Sequence, residues 1–155
     1  ALRTAAVALL AAMTLAGCTV DSSDLELRSV VRNGRPSEAL ACPPGYCTAN
    51  ADITVPDYGV PVEQLADIVR AAVAAMPRTT VERDDRPRQR LVAVQRTAVL
   101  RFADTVWIEA VPRSAAASSL AILSRSNVGY YDFGVNRRRV EALLAAIGER
   151  VAQRR

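Results

Sequence analysis

From Pro61 to Met76 the apolar residues fall at Val62, Leu65, Val69, Ala72, Val73 and Met76, the spacing of one face of an α-helix. Pro61 suits a first turn, Glu63 and Asp67 suit the positive end of the helix dipole, and Pro77 stops the pattern. A second helix is predicted from near Asn136, with Val140, Leu143, Leu144, Ile147 and Val151 on one face. Between the helices lie three or four short extended stretches: Thr79 to Arg83, Leu91 to Thr97, Thr105 to Val111 and Leu120 to Ser126. The breakers between them, Asp84-Asp85-Arg86-Pro87 and the run Pro112 to Ser119, have the length and composition of hairpin connections. None can hold a crossover helix, so consecutive strands should pair antiparallel. The predicted fold is α+β: a small antiparallel sheet of three to four strands with two helices packed on one face.

The N-terminus carries a different pattern. Arg3 is followed by an apolar run, Ala5 to Leu15, and then by Leu15-Ala16-Gly17-Cys18. The run is shorter than the roughly 20 residues of a permanent bilayer span but suits the apolar region of an export signal. Leu-Ala-Gly-Cys resembles the bacterial lipoprotein box, in which a lipid is attached to the Cys and the signal is cut before it. That resemblance implies a signal peptide over residues 1–17, lipidation of Cys18 and a membrane anchor at the cell envelope. Acyl methylenes contribute about 0.8 kcal/mol each, so two or three chains hold where one does not. Thr19 stands where an Asp would often retain a lipoprotein at the inner membrane, which favours the outer membrane if the cell has one. From Thr19 to Ala41 the chain is rich in Ser, Asp, Arg and Gly, with an apolar touch only at Leu25, Leu27, Val30 and Val31. Residues 18–41 therefore read as the lipidated Cys and a tether, leaving residues 42–155 for the domain.

Composition narrows the chemistry. Hydrophobic residues make up 50% of the chain but aromatics only 5%, so the core must rest on Val, Leu and Ile. The formal charge of +4 comes entirely from Arg, since the sequence has neither Lys nor His. These cations are scattered, without the interleaved aromatics that grip single-stranded nucleic acid, so nucleic acid is not an expected partner. Without His or Lys, a Ser nucleophile at Ser124 or Ser126 has no usual base. No phosphate-binding Gly loop is present, and neither a cofactor nor a metal is expected.

Cys42 and Cys47 flank Pro43-Pro44-Gly45-Tyr46. In an oxidising compartment an even pair in a small domain reads first as a disulfide, with a gain at the low end of about 2–4 kcal/mol because the loop is short. The rival metal site would have two thiolates and no His, short of the four ligands of structural zinc. Free thiols are the third reading.

The segment Ser124-Arg125-Ser126-Asn127-Val128-Gly129-Tyr130-Tyr131-Asp132-Phe133-Gly134-Val135-Asn136-Arg137-Arg138-Arg139 resembles the C-terminal motif of the DUF1499 family, a set of proteins of unknown function. Ser124, Ser126, Gly129, Asp132, Gly134, Asn136 and Arg139 match that motif. Cys42-Pro43 to Cys47 and Arg101-Phe102-Ala103-Asp104 resemble two further elements of the family, so the likeness spans about residues 40–147. Asn127 departs from it, standing where the family often has Arg, while Arg125 lies two positions earlier.

Read as chemistry, Gly129 and Gly134 flank Asp132 between the last strand and the last helix, with Asn136 as a good N-cap. Arg137, Arg138 and Arg139 then crowd the positive end of the helix dipole, an arrangement that calls for a compensating negative charge. Asp132 and Asp104 supply it in one reading, with Arg139 buried and paired. In the other, Ser124, Arg125, Ser126, Gly129, Asp132, Gly134, Asn136 and Arg139 surround a small external anion. The functional expectation is a membrane-anchored, non-catalytic binding domain whose partner is a small anion or an envelope component. The alternative is a hydrolase using Asp104 and Asp132 as a carboxylate pair.

Overall fold

The computed structural model describes Asp21 and residues 23–154 of the 155-residue chain. The expected signal peptide and Cys18 lie outside the described residues. Eight regular elements follow one another: β1 (Glu38–Cys42), β2 (Ile53–Thr54), α1 (Val62–Ala74), β3 (Thr79–Asp85), β4 (Arg90–Arg96), β5 (Ala103–Pro112), β6 (Ser118–Ser126) and α2 (Val135–Ala152). The fold is α+β, as the patterns predict, but the sheet has six strands in the order β2-β1-β6-β5-β4-β3, not three to four. The four expected strands form the antiparallel run β3 to β6. β1 adds antiparallel to β6, and β2 adds parallel to β1, which makes the sheet mixed.

Alternation along the strands explains the layers. Ala39 and Ala41 of β1, Val106 and Ile108 of β5, and Leu120 and Ile122 of β6 face α1 and α2, which bury Leu65, Val69, Val73, Val140, Leu143 and Ile147 against them. Both helices thus cover one face, as expected. The Ala residues of β1 lack the β-branched signature of a strand, yet they let a helix approach the sheet closely.

The opposite face holds Leu40, Trp107 and Leu123, and a second layer covers it. A single 3₁₀ turn, Leu27–Ser29, inserts the fully buried Leu27, and Val30 follows it. Trp107 Nε1 donates to the Ser23 carbonyl at 2.9 Å. Here the reading of residues 18–41 as a tether is corrected: Leu27, Val30 and the whole of β1 belong to the folded body, so the domain begins well before Cys42. The polar composition misleads because this segment covers one face only, so a few apolar side chains suffice.

Cys42 and Cys47 form the expected disulfide, with their Cα atoms 6.2 Å apart. The closed loop sets the Tyr46 hydroxyl to donate to Glu109, which also faces Arg90 at 3.5 Å. Burial and that hydrogen bond push the Tyr46 hydroxyl well above its ordinary pKa. At the other end of β1, the fully buried Glu38 carboxylate is held between Arg32 at 2.9 Å and Arg125 at 3.0 Å.

Candidate functional site

The register of β4, β5 and β6 sets Gln95, Asp104 and Ser126 in one row across the sheet, on the helix-facing side. Arg139, one turn into α2, reaches down onto this row. Its Nη2 donates to Asp104 Oδ2 at 2.6 Å, its Nη1 to Asn136 Oδ1 at 2.6 Å and Ser124 Oγ at 3.0 Å, and its Nε to Gln95. The side chains of Arg139 and Asp104 are 5% and 4% exposed, so this is a buried ion pair with every guanidinium nitrogen engaged.

Asn136 is the hub of the same network and is completely buried. Its Oδ1 accepts from Ser124 Oγ at 2.6 Å, and its Nδ2 faces Asp132 Oδ2 at 2.7 Å, Ser126 Oγ at 2.9 Å and the Ser37 carbonyl at 3.1 Å. Asn136 is not the N-cap that the sequence suggested. It is the second helical residue, and Asp132 does the capping, accepting from the backbone N–H of Gly134 at 2.9 Å and of Asn136 at 2.8 Å. The chain can turn this sharply because Gly134 takes a φ of +78°.

Burial raises the Asp132 carboxyl, but the hydrogen bonds from the Asn136 backbone and side chain and the Gly134 N–H outweigh it and hold the group below its ordinary range. A group whose pKa falls on folding contributes fully above its unfolded value, near about 3.9, and loses that contribution as the pH drops through the folded value. We therefore expect Asp132→Ala to cost about 1 kcal/mol at neutral pH, the usual worth of a cap. The gap from wild type should close on the acid side of that range in urea titrations run from neutral pH downwards. A gap that stays constant with pH would refute the capping role.

The three Arg residues at the start of α2 find internal partners. Arg137 pairs with Glu141 at 2.9 Å, Arg138 donates to the Phe133 carbonyl at 2.9 Å, and Arg139 pairs with Asp104. The expected convergence of Arg125 and Arg139 on an external anion is not met, because the two lie on opposite faces of the sheet. Ser124 and Ser126 face α2, so Arg125 between them faces away, pairing with Glu38 and lying over the Trp107 ring at 5.8 Å. Gly129, at a φ of +91°, shapes the connecting loop and offers its carbonyl to Ser37 Oγ at 3.5 Å. Of the eight expected anion-site residues, Ser124, Ser126, Asp132, Gly134, Asn136 and Arg139 do meet, around each other rather than around a ligand. The departing residue, Asn127, accepts from Thr105 Oγ1 at 3.0 Å, while its buried Nδ2 has no protein partner.

Immediately outside this network is an open cleft of about 400 Å³ between the β4–β5 loop and the β6–α2 loop. Leu100, Phe102, Val128, Tyr131 and Phe133 form its walls, and Asp104, Ser126 and Asp132 lie at its floor. Tyr131 and Phe133 pack edge to face, with centroids 5.2 Å apart. Two non-glycine residues of these loops, Arg101 and Phe133, take left-handed backbone with φ near +58° and +54°. Arg78 and Gln89, in turns away from the cleft, take the same left-handed backbone. Sequence reasoning missed this cleft. Its signal was present as apolar pairs inside loops, Val99-Leu100 and Tyr130-Tyr131, where turn chemistry alone would place polar residues. Among the described residues no group of three His, Cys, Asp or Glu side chains is placed to hold a metal ion.

Fold and site define an α+β domain in which a buried polar network centred on Asn136 and Arg139 welds the last strand to the last helix beneath an apolar cleft. The chain belongs to the family described as protein of unknown function (DUF1499), whose model matches residues 37–147. That match covers the disulfide, the Arg101-Phe102-x-Asp104 element and the motif from Ser124 to Arg139. No curated protein matches the chain. Among solved structures, it is similar to a structural-genomics solution NMR structure from Thermobifida fusca, with 11% identity and a TM-score of 0.48, over 76% of this chain and 94% of that one.

Proposed function

We propose that this protein is a non-catalytic binding domain held at the cell envelope by lipid on Cys18, and that it receives an apolar group in the cleft between the β4–β5 and β6–α2 loops. The observation that carries the reading is the contrast between floor and walls. The floor polar groups are already engaged by one another, Asp104 by Arg139 and Asp132 by the turn, whereas the apolar walls are open. A carboxylate pair acting on substrate, the alternative reading, needs at least one carboxylate at liberty as a base. Asp104 and Asp132 are both committed to structure, so this geometry favours binding. The Leu15-Ala16-Gly17-Cys18 sequence supports the anchor.

Two measurements test the two halves of the reading. Wild-type protein is expected in salt-washed membranes and Cys18→Ser in the soluble fraction; a variant still sedimenting with membranes would remove Cys18 as the anchor. In the soluble Cys18→Ser chain, the apolar dye anilinonaphthalene sulfonate is expected to bind saturably, one per chain. Adding Val128→Asp should weaken that binding about tenfold, the effect of losing about 1.4 kcal/mol. Equal dye binding with and without Val128→Asp would place the apolar site elsewhere.

A further inference from the structure

Seven of the nine large apolar side chains exposed among the described residues lie on the two loops that wall the cleft. They stand at one end of the sheet, since β4 ends, β5 begins and β6 ends there. Val99, Leu100, Val128, Tyr130, Tyr131 and Phe133 are 44% to 86% exposed. A contiguous apolar surface of this kind marks a contact with a membrane, a ligand or a protein.

The path of the chain decides among them. Asp21 lies in a polar recess with Asn33, Arg35, Arg125 and Asn127, and Asn127 opens the β6–α2 loop. Ser37 belongs to the same end, its carbonyl accepting from the Ser126 N–H. From Ser23 the chain runs along the sheet toward the opposite end, where Asp24 and Glu26 face Arg90. The N-terminal side of the described chain therefore leaves at the end that carries the apolar loops. Cys18 is three residues before Asp21, a covalent reach of at most about 10 Å.

We infer that the end of the domain formed by the β4–β5 and β6–α2 loops sits against the surface of an anionic phospholipid bilayer, with the cleft opening onto the lipid. This rests on the lipid anchor at Cys18 proposed above. Tyr130 and Tyr131 have the amphipathic rings that favour the headgroup level, and Val99 and Leu100 offer aliphatic contact below it. The exposed Arg35, Arg101 and Arg138 flank these side chains and match anionic headgroups. An acylated Cys and an adjacent apolar, cationic surface are the two signals that together orient a protein on a membrane, where a lipid alone leaves it free to turn.

The test uses the full-length lipidated protein on vesicles of phosphatidylcholine and phosphatidylglycerol with brominated acyl chains. Leu100→Trp places a reporter in the β4–β5 loop, and Ala116→Trp places one in the β5–β6 hairpin at the opposite end; Trp107 is a constant buried background. Emission of the Leu100→Trp reporter is expected to fall to about half, with the Ala116→Trp reporter unchanged, as for a side chain in the acyl boundary. Equal quenching at both positions, or none at Leu100→Trp in protein that floats with the vesicles, overturns the orientation while leaving the anchor intact. Cys18→Ser in the Leu100→Trp background separates the two ideas: loss of flotation supports the anchor, and flotation with quenching retained supports the loops and removes the anchor. A blue shift of the Leu100→Trp reporter that grows with protein concentration without vesicles would assign the surface to a second copy and overturn the proposal.

Discussion

Arg139→Ala is expected to remove about 3–5 kcal/mol of stability, the cost of stranding a buried charge by deleting its partner. Asp104 then keeps its carboxylate at the floor of the cleft without a cation, with a side chain only 4% exposed. Asn136 Oδ1 and Gln95 lose a charged donor in the same step. Against a total of about 5–15 kcal/mol for a domain, that loss approaches unfolding. Urea denaturation followed by far-ultraviolet circular dichroism measures it, with an unchanged slope expected if the unfolded state is the same. Adding Asp104→Asn to Arg139→Met should recover part of the loss, because the unpaired charge is then gone; a coupling of about 0.5–3 kcal/mol between the two positions is expected for residues in one network. A loss below about 1 kcal/mol for Arg139→Ala would mean that the guanidinium is solvated, which is the behaviour expected of a ligand-binding Arg and not of a structural one.

Leu27→Ala carries the second large effect, about 2–5 kcal/mol, and it bears directly on where the domain begins. Leu27 is 1% exposed and packs with Leu40, Trp107 and Leu123, on the sheet face that no helix covers. Truncating it opens a void under the 3₁₀ turn and loosens the segment that supplies Trp107 with its hydrogen-bond partner, Ser23. Trp107 fluorescence should shift to the red at lower urea concentration than in wild type. In a tether the same substitution would change stability by no more than a few tenths of a kilocalorie, as for any exposed position. A near-zero effect would therefore restore the tether and remove this layer from the core.

The two predictions mark the boundary of what local pattern can say. Residues 61–76 and 136–151 declare themselves as helices because an amphipathic stripe repeats over three or more turns, long enough for periodicity to be unambiguous. β1 has five residues, among them Glu38 and two Ala, and its partner β6 lies more than 80 positions away. A short strand buried on both faces shows no alternation, and Glu38 is acceptable there only because Arg32 and Arg125 come from elsewhere in the chain. Parity, by contrast, was legible. Once Leu120 to Ser126 is read as a strand, Ser124 and Ser126 must share a face and Arg125 must leave it, so parity alone removes Arg125 from the side on which the two Ser residues lie.

The sequence by itself determined the α+β class, the two helices and their shared side of the sheet, the four strands from β3 to β6, and the motif that places the chain in its family, and it offered a Cys42–Cys47 disulfide as the first of three readings of that pair. These follow from local periodicity, from spacing and from residue type, none of which needs a distant partner. Only the tertiary structure decided that Arg139 is spent on Asp104, that Asp132 rather than Asn136 caps α2, that the polar N-terminal segment is a layer of the core, and that two apolar loops meet around a cleft. All but the cap, which is made by contacts two and four residues apart, depend on which residues from remote parts of the chain share a surface. Burying a charge costs several kcal/mol unless a partner is placed within hydrogen-bond reach. The same Arg therefore reads as a free cation or as a structural tie according to a neighbour 35 residues away, and the register of β5 against β4 and β6, which sequence periodicity does not encode, sets that neighbour's place.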